Sequence, residues 1–216
     1  MHPTILCHDL DNPSNPQLSY ITLSFMIRDR LLNLQRAALD RLGLSSSSRS
    51  SQSAPASATA KQPAMAWVIP QQLAVGRLPR SADLALLQQQ GIQTIVSLCH
   101  SREGCLPPQA SDLFEVVSCP LPDQRDPEPL TVEQLRRAVM AVGQQIRQGR
   151  RVYVHCLVGL ERSPTVCITY LCQRNKVEIW EALQFLREAY PAASPTSSQL
   201  QIAQACLRSF SGAASS

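Results

Sequence analysis

Nine consecutive residues carry most of the chemistry legible in this chain: His155-Cys156-Leu157-Val158-Gly159-Leu160-Glu161-Arg162-Ser163. They set a cysteine and an arginine six positions apart, with a glycine between them and a hydroxyl residue directly after the arginine. The apolar run 151–154 leads into the stretch and the helix-compatible run 164–171 follows it. Strand, tight loop and helix together form an oxyanion cradle. A loop wound around the anion turns its backbone N–H groups inward, and the helix N-terminus adds a partial positive charge. Gly159 can take the positive φ that such a loop demands. Arg162 can return over the anion and bind two of its oxygens with its planar fork. At the loop floor the same field favours Cys156 as a thiolate; a free cysteine titrates at about 8.5, and helix N-termini and cationic neighbours lower that value. An anion-binding cup with a thiolate at its base is a device for attacking phosphorus. The Ser163 hydroxyl is placed to hydrogen-bond the thiolate and ease its departure in a second step, as well as to cap the helix.

Thiolate attack on a phosphate ester needs a proton for the leaving oxygen, and later a base to activate water. One carboxylate can serve both steps. The candidates are Asp123 and Asp126, in the proline-rich loop 119–129. That loop follows a strand-like run and precedes a capped helix, so it can arch over the cup. Aspartate before proline is also an ordinary turn residue, and the residue types leave both aspartates open.

The elements that must position these groups are readable from periodicity. Strands are expected at 67–69, 73–76, 92–98, 114–118 and 151–155. Helices are expected at 81–90 (Ser81 as cap, Gly91 as stop), from Thr131 to about 148 behind a capping box, and at 164–174, 177–189 and 196–208. Alternating strands and helices imply an α/β fold: a central, mostly parallel sheet of four to five strands with helices on both faces. Its ligand crevice should lie at the carboxyl ends of the strands, where the motif sits. In 216 residues this reads as one domain, 66–210, behind an extension over 1–65 and before a disordered tail over 211–216. The extension reads as largely disordered, with an amphipathic helix over 24–42 and a Ser/Ala/Gln/Pro linker over 44–64. Met65 stands where the compact pattern begins and reads as an alternative start.

Composition narrows the function further. The net charge of +4 suits an anion site but points to neither a nucleic-acid nor a membrane partner. No run approaches the length of a membrane span, and no secretory signal is evident, so the cytoplasm is the expected compartment. Eight cysteines show no C-x-x-C pairing and no histidines at zinc-finger intervals, so neither a disulfide framework nor a metal site is expected.

The stretch 155–163 resembles the signature of the cysteine-dependent protein tyrosine phosphatase superfamily. Its continuation Arg162-Ser163-Pro164-Thr165 looks most like the dual-specificity branch. The resemblance covers 67–206 and leaves the first sixty-odd residues untouched. It implies Cys156 as nucleophile, the loop 157–162 and the Arg162 side chain as phosphate holders, and His155 as a brace that helps lower the cysteine pKa. It favours Asp123 as general acid over Asp126, because Leu121-Pro122-Asp123 is similar to the family's pattern. It implies no cofactor, no metal and a phosphorylated protein as partner, acted on by a monomer. Glu161, Leu157 and Val158 occupy positions where relatives acting on inositides tend to carry lysines. No long tyrosine-bearing insertion precedes Arg102. The first feature speaks against phosphoinositides; by resemblance, the second favours a shallow cleft open to phosphotyrosine and phosphoserine/threonine. The alternatives are a phosphatase for a non-protein ester (RNA 5′ end, glucan or inositide) and a non-catalytic phosphoprotein-binding pseudophosphatase. Some relatives carry a cysteine at the strand end matching Cys99 that pairs with the nucleophile on oxidation, so the resemblance makes Cys99 a candidate redox partner of Cys156. The plain alternative is a small buried apolar residue.

Overall fold

The computed structural model describes residues 64–212. The helix expected over 24–42, the linker up to 63 and the last four residues of the tail lie outside the described residues. Five strands form one sheet: β1 (Met65–Ile69), β2 (Leu73–Arg77), β3 (Thr94–Ser97), β4 (Glu115–Ser118) and β5 (Val152–Cys156), in the order β1-β2-β5-β3-β4. Only β1 runs antiparallel, joined to β2 by a tight turn; β2, β5, β3 and β4 are mutually parallel. The central strand β5 is buried along its whole length, as expected of a parallel strand covered on both faces.

Among the described residues six helices accompany the sheet: α1 (Ser81–Gln89), α2 (Ala110–Leu113), α3 (Val132–Arg147), α4 (Arg162–Asn175), α5 (Ile179–Ala189) and α6 (Ser197–Gly212). The pleat sorts the side chains between two cores. Ala74, Tyr153 and Ile95 share one face and pack with Leu84 and Leu87 of α1, Ala110 of α2, and Phe114. The alternate residues Val75, Val154 and Val96 point to the other face, where α3 and α4 lie, with α6 packed on both helices. In α3, Leu135, Ala138, Val139 and Val142 supply the buried stripe at helical spacing. Its capping box forms as the residue types require: Thr131 Oγ1 accepts from the Gln134 N–H at 3.3 Å, and Gln134 Oε1 accepts from the Thr131 N–H at 2.9 Å.

Three local expectations change. Ser81 is the first helical residue of α1, not its cap; the N-cap is Arg80, whose N–H donates to Asp83 Oδ2 at 2.7 Å. The four-residue helix α2 has no counterpart among the expected elements, since one turn is too short to display a period. Helix α4 begins at Arg162 rather than Pro164. Pro164 is therefore tolerated as the third helical residue, where the N–H it lacks would have no intrahelical partner. The two extra residues place Arg162 and Ser163 on the first turn of a helix, pointing its N-terminus at the preceding loop.

Candidate active site

Cys156 ends β5 and is 3% exposed. Its Sγ accepts from the Gly159 N–H at 3.2 Å and lies 3.4 Å from Ser163 Oγ. Ser163 Oγ is also 3.1 Å from the Gly76 carbonyl. A hydroxyl has one proton, so Ser163 can turn it from the carbonyl to the sulfur when negative charge develops there.

The loop 157–161 is tied down from outside. The Leu157 carbonyl accepts from the Leu78 N–H at 3.2 Å, the Leu160 carbonyl from the Ser194 N–H at 2.7 Å, and the Glu161 carbonyl from the Thr165 N–H at 2.9 Å. Carbonyls held from outside, with the Gly159 N–H aimed at the sulfur, suit the geometry of an anion nest. Gly159 makes the turn with φ of +86°, and a Cβ there would stand 2.9 Å from both Arg77 N and Gly76 C. The backbone thus passes so close to β2 that only glycine fits. The Leu157 and Val158 side chains stand exposed at the mouth.

Arg162 is 2% exposed. Its Nη1 donates to Glu103 Oε2 at 2.8 Å, to Glu103 Oε1 and the Leu121 carbonyl at 3.1 Å, and to the Leu98 carbonyl at 3.4 Å. Its Nη2 donates to Asp123 Oδ2 at 3.1 Å. Asp123 is therefore in the site, on the terminal nitrogen of Arg162 that Glu103 does not hold. Asp126 serves the loop instead. Its Oδ2 accepts from the Asp123 N–H at 2.8 Å and its Oδ1 pairs with Arg102 Nη2 at 2.7 Å. The Asp123 N–H bond, with the Arg102 charge, holds the Asp126 carboxyl below the usual carboxylate range. Asp126 thus shapes the segment that presents Asp123.

His155 is fully buried, and its ring stacks on Tyr153 at 6.0 Å. Its Nδ1 lies 3.3 Å from the Cys156 carbonyl, while Nε2 has no partner among the described residues. Burial pushes its pKa down to about 4. The ring is therefore neutral near pH 7; it steadies the strand end but brings no positive charge to the sulfur. Glu161, half-buried beside the cup, has its carboxyl raised by burial and then by the Asp123 charge. Cys99 follows Leu98, whose N–H donates to the His155 carbonyl at 3.0 Å, so it leaves the same sheet edge as Cys156. It is buried, and that burial pushes its thiol up to about 12.

Two groups escape sequence reasoning. Glu103 lies 59 positions from Arg162 in a Ser-Arg-Glu-Gly run that reads as a solvated turn. Tyr190 is fully buried, and its Oη would stand 2.6 Å from a Cβ at Gly159, so it backs the loop. Nothing local marks either residue. A groove of about 420 Å³ starts at Asp123 and runs between the acid loop and α6, lined by Pro122, Asp126, Glu128, Pro129 and Ile202 among others. Among the described residues no group of three or more His, Cys, Asp or Glu side chains is placed to hold a metal ion, and no helix is long and apolar enough to cross a membrane.

Comparison with known proteins places this geometry. Residues 74–205 match the family model described as the dual specificity phosphatase catalytic domain. Dual specificity protein phosphatase 2 of Mus musculus is 31% identical over 123 residues, which are 57% of this chain and 37% of that protein. Dual specificity protein phosphatase PHS1 of Arabidopsis thaliana is 29% identical over 138 residues, 64% of this chain and 14% of that protein. The chain thus spans little more than a third of the length of the first relative and far less of the second. Among solved structures, one titled as Tk-PTP in the active form is 26% identical with a TM-score of 0.59, covering 68% of this chain and 97% of its own. A mouse putative dual specificity phosphatase, solved with zinc tungstate, has the same fold at a TM-score of 0.60 and 24% identity, over 74% of this chain and 97% of that one. With the matched family model spanning more than half of its residues, the chain belongs to the dual specificity phosphatase catalytic-domain family.

Proposed function

We propose that residues 66–210 form a protein phosphatase that hydrolyses phosphotyrosine and phosphoserine/threonine esters through a phosphocysteine intermediate. The observation that carries this reading is the convergence on Cys156 Sγ of the Gly159 N–H and the Ser163 hydroxyl, with Asp123 held on Arg162 beside it. In the first step the Cys156 sulfur attacks phosphorus in line, the P–O bond to the leaving group breaks, and Asp123 gives its proton to the departing oxygen. Inward amides of the loop and Arg162 hold the equatorial oxygens as charge grows on them, which is where preorganised donors contribute most. In the second step Asp123 takes a proton from water as that water attacks phosphorus. The P–S bond breaks, and the Ser163 hydroxyl turns to the leaving sulfur.

Several features support a protein substrate. The groove beside Asp123 lies where the chain bearing the leaving oxygen must run. Glu103, Asp123 and Glu161 surround the cup with carboxylates, an environment that repels polyanionic headgroups. The same reading holds the domain to be a metal-independent monomer, since one chain supplies every group both steps need. It also places the protein in the cytoplasm, a compartment that suits the seven free thiols of the described residues. The test is turnover of a small aryl phosphate with and without chelator. Wild type should hydrolyse it in both conditions. Cys156→Ser should not hydrolyse it at all, because a hydroxyl stays protonated and is a poor nucleophile. Turnover by Cys156→Ser near the wild-type rate would sink the thiolate mechanism.

A further inference from the structure

The groove that starts at Asp123 has a sign as well as a shape. Three carboxylates line it, Asp123, Asp126 and Glu128, and no Lys, Arg or His among the described residues does. Two of the three are already paired: Asp123 with Arg162 at 3.1 Å and Asp126 with Arg102 at 2.7 Å. Glu128 is exposed and has no hydrogen bond or ion pair among the described residues. Glu161 adds negative charge beside the lining, since its carboxyl meets the Asp123 charge and the side chain of Gln199, a groove residue. Arg125 approaches Asp123 to 3.9 Å, but its side chain is 87% exposed and does not line the groove. The N-terminus of α6 would otherwise draw an anion here, yet its own residues close it. The Thr196 N–H donates to Gln199 Oε1 at 2.9 Å, and the Gln199 N–H donates to Thr196 Oγ1 at 3.2 Å. Much of the remaining wall is aliphatic, from Pro122, Pro129, Leu130 and Ile202.

We propose that this groove is a subsite for a basic residue of the substrate: an Arg or Lys within about three residues of the phosphoresidue, about 10 Å of extended chain, lies along it with its cation at Glu128. The proposal rests on the phosphoprotein reading of the active site and names the class of phosphoprotein. A long basic side chain fits both parts of the lining, because its aliphatic stem covers the apolar wall while its charged head reaches the carboxylate. An acidic residue in the same place would meet an unpaired carboxylate and no cation, and like charges brought together at an interface are costly. The groove therefore selects by rejecting one sign as well as by holding the other. The loop and Arg162 hold the phosphate itself; the groove reads what flanks it.

The experiment uses the full chain and a set of phosphotyrosine peptides. Arg, Ala or Glu is placed in turn at each of the nearest positions on either side of the phosphoresidue, and one control peptide carries its Arg well beyond the reach of the groove. Turnover and dissociation constants are measured at low and high salt. An exposed ion pair contributes up to about fivefold. The best Arg peptide should therefore exceed its Ala counterpart by about threefold to fivefold in kcat/KM, and the Glu counterpart should fall below Ala by a similar factor. The preference should lie in KM rather than kcat, because groove contacts are made alike in the ground and transition states. Salt should compress it. Glu128→Gln should bring the Arg and Ala peptides within about twofold of each other, and Glu128→Lys should favour the Glu peptide. Equal kcat/KM for Arg, Ala and Glu, a preference for Glu, or an equal gain from the distant Arg overturns the subsite and leaves the phosphoprotein reading standing. An Arg preference that survives Glu128→Lys unchanged also overturns it, because the cation then lies elsewhere. Hydrolysis of an aryl phosphate but of none of the peptides ends the phosphoprotein reading and the subsite with it. A protein that turns nothing over yet binds the peptides in the order Arg, Ala, Glu ends the catalytic reading and supports the subsite.

Discussion

The phosphate loop and the acid loop meet at Arg162, yet they are held in place by opposite means. The phosphate loop leaves the fully buried strand β5 and enters the buried first turns of α4. Between them, backbone N–H groups from residues 78, 165 and 194 fix its carbonyls. The acid loop is exposed at Gln124, Arg125, Pro127, Glu128 and Pro129. It is held largely by charge: Asp126 to Arg102, whose side chain is 65% exposed, and Asp123 to Arg162. Backbone bonds in a dry interior are insensitive to salt, whereas an exposed ion pair such as Asp126–Arg102 is screened and individually weak. The nucleophile and the oxyanion nest are therefore fixed parts, and the proton donor sits on an adjustable one. That division suits a reaction in which Asp123 must first let go of Arg162 and then act twice on different oxygens.

The largest effect that sharpens this contrast belongs to the acid loop. Asp123→Asn should lower kcat by about two to four orders of magnitude, the range for a lost proton donor. The loss should be greatest for poor leaving groups, since only they need the proton. Asp126→Asn loosens the loop without removing the donor, so its loss should be nearer tenfold, and added salt should mimic part of it by screening Arg102. A kinetic comparison of the two variants at low and high salt checks this. If Asp126→Asn is the more damaging change, the two roles are reversed.

The fixed region should fail differently. In Gly159→Ala the new Cβ meets backbone of β2 at 2.9 Å, at a φ of +86° that alanine resists. The loop must shift, and a misplacement of about 1 Å is enough to cost about a hundredfold in rate. That loss should be the same for good and poor leaving groups, because the nest serves both. A loss confined to poor leaving groups would show that the loop is not the rigid partner.

These two regions also mark how far the sequence can be read. Cys156, Gly159, Arg162 and Ser163 are legible because one strand, one turn and one helix, all contiguous, build the cup. Asp123 is reachable only by resemblance, and the geometry that separates it from Asp126 is a hydrogen bond between the two, invisible in residue type. Glu103 arrives from a short polar turn and Tyr190 from the C-cap of α5, and neither position carries a period that announces what it contacts. That most of the sheet is parallel follows from alternating strands and helices, while its order β1-β2-β5-β3-β4, the single turn α2 and the Arg80 cap do not, because they are decided by tertiary and local contacts rather than pattern.

His155 tests the fixed region through stability rather than rate. Its folded pKa of about 4 lies below the ordinary 6.5 because burial disfavours the charged ring. The unfolded chain therefore binds the proton first as pH falls. The stability tied to the neutral ring is complete above 6.5 and drains away between 6.5 and 4, on the order of 3 kcal/mol in all. Urea unfolding across that window should show a slope that His155→Asn flattens. An unchanged slope would mean that the ring is not held neutral by its burial.

The smallest effect on turnover is expected at Cys99, which stands where the two regions adjoin. It leaves the β3 end, next to the strand that carries Cys156, and Leu121 of the acid loop reaches back to the Leu98 carbonyl with its N–H at 3.0 Å. Cys99→Ser should leave aryl phosphate turnover near wild type, because no step uses it. Its effect should appear only after peroxide. Peroxide oxidises the Cys156 thiolate to a sulfenic acid with release of water or hydroxide; Cys99 sulfur then attacks that sulfur, a second water leaves, and a disulfide forms. The bridge needs Cα atoms within about 7 Å; the paired register of β3 and β5 ends at Ser97 and His155, two residues before Cys99 and one before Cys156. Burial works against the step, since a thiol pushed up to about 12 is rarely ionised. The disulfide should therefore form slowly, and faster as pH rises, in competition with further oxidation of Cys156. Mass spectrometry after mild peroxide should find a Cys99–Cys156 linked peptide, and thiol treatment should restore wild type but not Cys99→Ser. Equal recovery of the two proteins would leave Cys99 as packing at the seam between the fixed loop and the adjustable one.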